Sequence, residues 1–280
     1  MISTKAELLT RGWERTTEER SGPRLIHTPE LRPAPGGHVQ TTFERYEVKY
    51  WVPERTARVV EEIAAPYLMR DPFSLKGGPQ ENLSLYLDSF DLVFYKAHVA
   101  RAFDRWKLRV RTYRKGTALY EIKRKTGTVG RKTRAGLPDS TVPTVLAGAF
   151  DPRECPEASR PHLEAFMSLA LPHRAEPKLF ISARREAFVS RSGDDVRITF
   201  DREMRCQAAH DPSIQPDDRR WRDLRTPPCW LGRPPVLVEI KVGPRPPAWV
   251  GAMVSRLGLQ RVAFSKYVTA VSQLGGGFLR

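Results

Sequence analysis

Five segments of the chain alternate apolar and ionic residues with the two-residue period of a half-buried strand. In residues 106–113, WKLRVRTY, one face carries Lys107, Arg109, Arg111 and Tyr113, and the other Trp106, Leu108, Val110 and Thr112. Residues 45–52 set Arg45, Glu47 and Lys49 against Tyr46, Val48, Tyr50 and Val52. Residues 120–125 set Glu121, Lys123 and Lys125 against Tyr120, Ile122 and Arg124. In 195–201, Arg197, Thr199 and Asp201 oppose Val196, Ile198 and Phe200; in 236–242, Glu239 and Lys241 oppose Val238, Ile240 and Val242. A solvated antiparallel face ordinarily mixes neutral polar residues with scattered charges. Three cations in a row at about 7 Å, the spacing the strand rise imposes, repel one another unless an anion lies across them. If the five ionic faces converge, they line a basic cavity that also holds carboxylates.

The remaining pattern supplies the connections. Pro53 opens a helix with an apolar stripe at Val59, Val60 and Ile63, and residues 71–80 read as a loop. Residues 81–100 give a strand with Tyr86 and Asp88 on one face, then a short helix near 91–99. Lys115-Gly116 marks a hairpin turn, and the run TGTVGRKTRAGLP (126–138) reads as a loop bearing Arg131, Lys132 and Arg134. Helical patterns follow near 142–149 and 160–171. A second strand pair, 178–190 and 195–201, turns at Ser192-Gly193-Asp194. Residues 207–235 read as a surface excursion, and helices are expected within 246–259 and 264–274. Residues 1–40, broken by PAPGG at 33–37, read as a flexible N-terminal arm preceding one domain over 41–280. The fold class is α+β: a large, mainly antiparallel sheet with peripheral helices.

Charge narrows the partners. Lys and Arg number 47 against 32 Asp and Glu, a net +15, which favours anionic ligands. Cys155, Cys206 and Cys229 have no paired spacing, and the six histidines form no HExxH pair, so a disulfide framework or a histidine-built metal centre is not expected. No apolar run approaches the roughly 20 residues of a membrane span, and the first 20 residues lack a signal-peptide core. The expected location is the cytoplasm, peripheral at the inner face of the membrane if a separate membrane protein is the partner.

The segments FERYEVKYWV, NLSLYLDS, WKLRVRTY, YEIKRK, REAF…VRITFD, VEIKV and FSKYVTAV, in that order over about residues 41–275, resemble the vacuolar transporter chaperone (VTC) domain. That domain is the polyphosphate polymerase branch of the triphosphate tunnel metalloenzyme, or CYTH-like, group. The resemblance implies an antiparallel β-barrel whose lumen binds triphosphate or polyphosphate through Lys and Arg, with a divalent manganese or magnesium ion on an acidic side chain. By the same resemblance, Lys49, Arg109, Arg111, Lys123, Arg185 and Lys266 are the catalytic tunnel cations. Lys132, Ser265, Arg197 and Glu47 join the substrate-binding set, and Glu239, with Glu121 as a secondary site, holds the metal. Asp88 and Asp201 are read as holding loops or cations, and Tyr86 and Tyr113 as wall residues.

Two departures from the family pattern stand out. Arg45 occupies the phase where the wider group places an acidic residue, as in the polymerase branch. Ala183 stands where polymerase-branch members commonly carry a tyrosine, which bears on nucleotide binding. The leading functional expectation is transfer of the ATP γ-phosphoryl group to polyphosphate. The alternatives are a tripolyphosphate or nucleoside triphosphate hydrolase using the same face, and a non-catalytic module binding polyphosphate or inositol polyphosphates. Nucleic acid is disfavoured, because the cations alternate with carboxylates on strands and no nucleic-acid motif is present.

Overall fold

A computed structural model describes residues 46–71, 79–114, 116–127, 129–227 and 234–275. The expected arm over 1–40, Arg45, Lys115, Cys229 and the side chain of Tyr113 lie outside the described residues. Ten strands form one antiparallel sheet: β1 Tyr46–Val52, β2 Leu68–Arg70, β3 Gln80–Asp88, β4 Asp104–Arg114, β5 Thr117–Thr126, β6 Val129–Pro138, β7 Glu176–Ser190, β8 Arg197–Ala208, β9 Arg222–Asp223 and β10 Val236–Val242. Its main path runs β1-β10-β8-β7-β3-β4-β5-β6, with β2 beside β7 and β9 beside β8. The helices described are α1 Glu54–Ala64, α2 Val93–Val99, α3 Val142–Leu146, α4 Arg160–Ala170, α5 Ala248–Arg256 and α6 Lys266–Leu274.

All five alternating segments form strands. The segment expected as a loop over 126–138 is instead largely β6, paired with β5 from Thr126↔Val129 to Thr117↔Pro138. Its run GRKTRAG hides the period of two because both faces are polar until Ala135 and Leu137 become buried. It is the last strand of the path, and charged residues along such an edge oppose pairing with another chain. Two short strands, β2 and β9, interrupt regions where none is expected. On α1 the inward stripe is Ala57, Val60 and Ala64, while Val59 is exposed.

Two apolar layers back the sheet. Leu108, Val110, Tyr120 and Leu137 from β4–β6 pack against Leu163 and Phe166 of α4 and Val142 and Val145 of α3. Tyr50, Ile198, Phe200, Val238 and Ile240 from β1, β8 and β10 pack against Val60 of α1 and Val250 and Met253 of α5. The opposite face turns inward on itself. Glu47 of β1 accepts from Lys123 Nζ of β5 at 3.0 Å, although five strands separate the two along the sheet. The sheet is therefore strongly curled. Among the described residues no ladder joins β6 to β1, so the closed barrel expected is observed as a curled, open sheet. Helix α6 lies on the inner face, its Tyr267, Ala270, Val271 and Leu274 packing on Leu179, Ile181, Ala183, Met204 and Leu237.

Phe166 is fully buried and meets Tyr120 edge-on, ring centroids 5.3 Å apart. Phe166→Ala should cost about 3–5 kcal/mol in urea unfolding; a loss below about 1 kcal/mol would contradict the packing of α4 on the sheet.

Candidate polyanion-binding face

Strand alternation places the ionic residues on the inner face, and register sets who meets whom. Arg109 lies across from Tyr86 on β3 and Glu121 on β5, and Glu121 across from Arg134 on β6. Glu239 of β10 lies between Lys49 of β1 and Thr199 of β8. Ser265 caps α6, accepting from Val268 N at 3.3 Å, so the first turn of that helix brings Lys266 to the strands.

Three carboxylate centres organise the cations. Glu121, only 1% exposed, accepts from Arg109 Nε at 2.6 Å and from Arg134 Nε at 2.8 Å, meets Lys132 Nζ, and has Arg111 Nε at 3.9 Å. Arg111 Nε also donates to Ser84 Oγ at 3.2 Å, and Arg109 Nη1 to the Tyr86 hydroxyl at 3.1 Å. The second centre pairs Glu239 with Asp201. Lys49 Nζ lies 3.0 Å and Lys266 Nζ 3.2 Å from Glu239 Oε1, and Arg185 Nη2 lies 3.5 Å from Oε2. Asp201, fully buried, receives both Arg185 nitrogens at 2.5 and 2.6 Å and Lys266 Nζ at 2.5 Å. The third is Glu47, with Lys49 at 3.1 Å, Lys123 at 3.0 Å and Lys241 at 3.8 Å. Lys107 Nζ donates to Ser265 Oγ at 2.9 Å.

Ten basic side chains thus share this face with four carboxylates. Burial works against the charged forms of the four carboxylates, yet they stay ionised. Against burial, Lys123, Lys49 and Lys241 hold the Glu47 carboxyl well below its usual range. Arg109, Arg111 and Lys132 do the same for Glu121. Arg185 and Lys266 hold Asp201 near 2, and Lys266, Lys49 and Arg185 hold Glu239 well down. Against burial, Glu239 and Glu47 in turn raise the Lys49 ammonium. Three other lysines are short of counter-charge. Burial pushes Lys132 down to about 6 and Lys241 to about 8, and drives Lys107 well below the usual lysine range.

Of the residues expected in the site, Lys49, Arg109, Arg111, Lys123, Arg185, Lys266, Lys132, Ser265, Glu47, Glu239 and Glu121 converge on this face. Arg197 lies across from Lys241 on the same strand face, but its Nη2 pairs with Asp71 Oδ2 at 2.7 Å rather than with one of the three carboxylate centres. Glu121, expected as a secondary metal ligand, has the surroundings of a counter-ion, both oxygens being taken by cations. Arg134, Lys107 and Lys241 are further members to which the family resemblance assigned no role. Lys107 and Lys241 lie in phase with Arg109 and Glu239 and were open to that reading; Arg134 was hidden in the assumed loop. Ala183 is buried in the apolar layer beneath α6.

The family resemblance implies a divalent cation at Glu239, whose two oxygens, like those of Asp201, are here paired with Lys49, Lys266 and Arg185. Glu239, Asp201 and the buried Thr199 hydroxyl, whose Oγ1 has no hydrogen-bond partner, are all hard oxygen donors of the kind magnesium and manganese take. No group of three or more His, Cys, Asp or Glu able to hold a metal occurs among the described residues. The substrate's own oxygens would have to complete the shell.

The site is thus a curled sheet whose inner face gathers many basic side chains around few carboxylates. The chain belongs to the VTC domain family, whose model matches residues 44–275. No curated protein gives a significant match. Among solved structures, the PH1819 protein from Pyrococcus horikoshii OT3 aligns with 82% of this chain and 99% of its own, at 12% identity and a TM-score of 0.43. A candidate adenylate cyclase from Vibrio parahaemolyticus aligns with 83% of this chain and 100% of its own, at 12% identity and a TM-score of 0.42.

Two measurements test this electrostatic arrangement. Glu121→Gln leaves its cations unbalanced and should cost about 3–5 kcal/mol of stability, most of it regained on adding tripolyphosphate. A variant as stable as wild type without ligand would refute the counter-ion role. A bound polyanion favours the charged forms of Lys132, Lys241 and Lys107, so binding at pH 7 should take up protons, and affinity should fall as pH rises from 6 past 8. Calorimetry in two buffers of different ionisation enthalpy reads this directly; proton release would have the wrong sign.

Proposed function

We propose that this protein is a polyphosphate polymerase, transferring the γ-phosphoryl group of ATP to a polyphosphate chain lying along the inner face. The observation that supports the reading is the gathering of ten basic side chains around four carboxylates on one partly buried face, which a polyanion of repeating charge would neutralise. In this reading Arg109 and Arg111 would exchange contacts with Glu121 for phosphate oxygens, while Lys49, Lys123, Lys132 and Lys266 would supply compact charges. Magnesium or manganese, held by Glu239 with the Thr199 hydroxyl nearby, would supply charge neutralisation between donor and acceptor phosphates. Phosphoryl transfer asks little covalent participation of the protein, so alignment and electrostatic stabilisation by these side chains suffice. No helix among the described residues is long and apolar enough to cross a membrane. A membrane-protein partner engaged by the basic surface is part of this reading.

Incubation with ATP and manganese, with products resolved on a polyphosphate gel, tests the reading. Wild type should form chains, and Arg109→Ala combined with Arg111→Ala should lower the rate at least about 100-fold. Orthophosphate without chains would make the protein a hydrolase instead. Tight polyphosphate binding with no turnover would make it a binding module.

A further inference from the structure

Lys266 and Ser265 are the parts of the inner face that come from a helix rather than a strand. Their positions depend on the rotation and register of α6. The apolar contacts of that helix through Ala270, Val271 and Leu274 are non-directional. A slip of one residue would move Lys266 by about 1.5 Å and turn it by about 100°, out of reach of Asp201 and Glu239. Something directional must fix it.

Tyr267 is buried to 1% exposure and its hydroxyl donates to Asp88 Oδ2 in a short bond. Asp88, fully buried at the end of β3, also accepts from Ser89 N at 2.8 Å, Phe94 N at 2.9 Å and Tyr95 N at 2.8 Å. The carboxylate is thus clamped by the chain entering α2 and cannot follow α6 if that helix shifts. The Tyr267 ring stacks on Tyr86, centroids 5.0 Å apart, and the Tyr86 hydroxyl is the acceptor for Arg109. A second contact, Tyr95 hydroxyl to Ser272 Oγ at 3.0 Å, ties α2 to α6 one turn further on.

We propose that Tyr267, held by Asp88, is a positioning residue that registers α6 so that Lys266 reaches the bound phosphates. This rests on the reading of the inner face as a phosphate-binding surface but not on polymerisation. The bond spans the two cation centres: Tyr267 touches the Glu121 side through Tyr86 and Arg109, and its neighbour Lys266 enters the Glu239–Asp201 side. Ser265, one residue earlier, takes the Lys107 ammonium. One hydroxyl therefore sets the placement of two consecutive functional residues.

The test is a double-mutant cycle on tripolyphosphate affinity, measured by calorimetry with Tyr267→Phe and Lys266→Ala, folding being checked by thermal melts. Tyr267→Phe should weaken binding roughly five-fold, about the worth of one misplaced charged contact, in the otherwise wild-type protein. In the Lys266→Ala background most of that loss should disappear, only the part exerted through Ser265 and Lys107 remaining, since the main residue it positions is gone. An equal loss in both backgrounds, or no loss in either, overturns the proposal, because a merely structural role destabilises independently of Lys266. If Tyr267→Phe does not fold, Asp88→Asn enters the same cycle with the same expected outcome. Failure of wild type to make chains from ATP would remove the polymerase reading and leave this cycle intact.

Discussion

Mutual repulsion among the inner-face cations is the constraint around which the rest of the molecule is arranged. Like charges a few ångströms apart in a partly dry environment repel by several kcal/mol per pair before screening. Four carboxylates, each shared among several cations, bring that repulsion to a tolerable level without abolishing it. Sharing explains why Glu121 and Asp201 are almost wholly enclosed: a carboxylate serving two or more cations has to sit between them. The residual positive charge is what makes the face a receptor, for a fully neutralised one would have no reason to exchange its internal partners for phosphate.

Stability to carry this strain is supplied from behind. The helices α3 and α4 on one side, and α1 and α5 on the other, bury the apolar faces of the same strands whose opposite faces are ionic. Each strand is thereby anchored by packing that does not depend on the charges. Helix α6 departs from this scheme. It lies on the ionic side, its apolar residues shielding part of the face while its first turn contributes to the site.

The division explains what the amino-acid pattern could and could not reveal. Strands such as β4 and β10 were legible because one face is apolar and the other charged, which gives a clean period of two. The convergence of Lys49, Arg109, Lys123 and Glu239 followed from that alternation together with the family resemblance. β6 was not legible, because its apolar phase is confined to Ala135 and Leu137 near its end, while residues 130–134 are polar on both faces. The side on which α6 packs was equally hidden: a helical stripe in residues 266–274 shows that one face is buried, not against which face of the sheet. The role of Glu121 depended on register, since its four cations come from β4 and β6 and only pairing reveals that they meet. Curling without closure likewise lies in the ladder pattern rather than in any local motif.

The two edge strands of the sheet are electrically unlike. β1 brings Glu47 and Lys49 to the inner face, one charge of each sign, whereas β6 brings Lys132 and Arg134, both positive. A guest carrying negative charge thus exerts almost no net pull on one lip and a strong pull on the other. An anion lying in the cleft meets nearly balanced charge at the β1 lip and a basic lip at β6, and added salt screens its attraction to the β6 lip most.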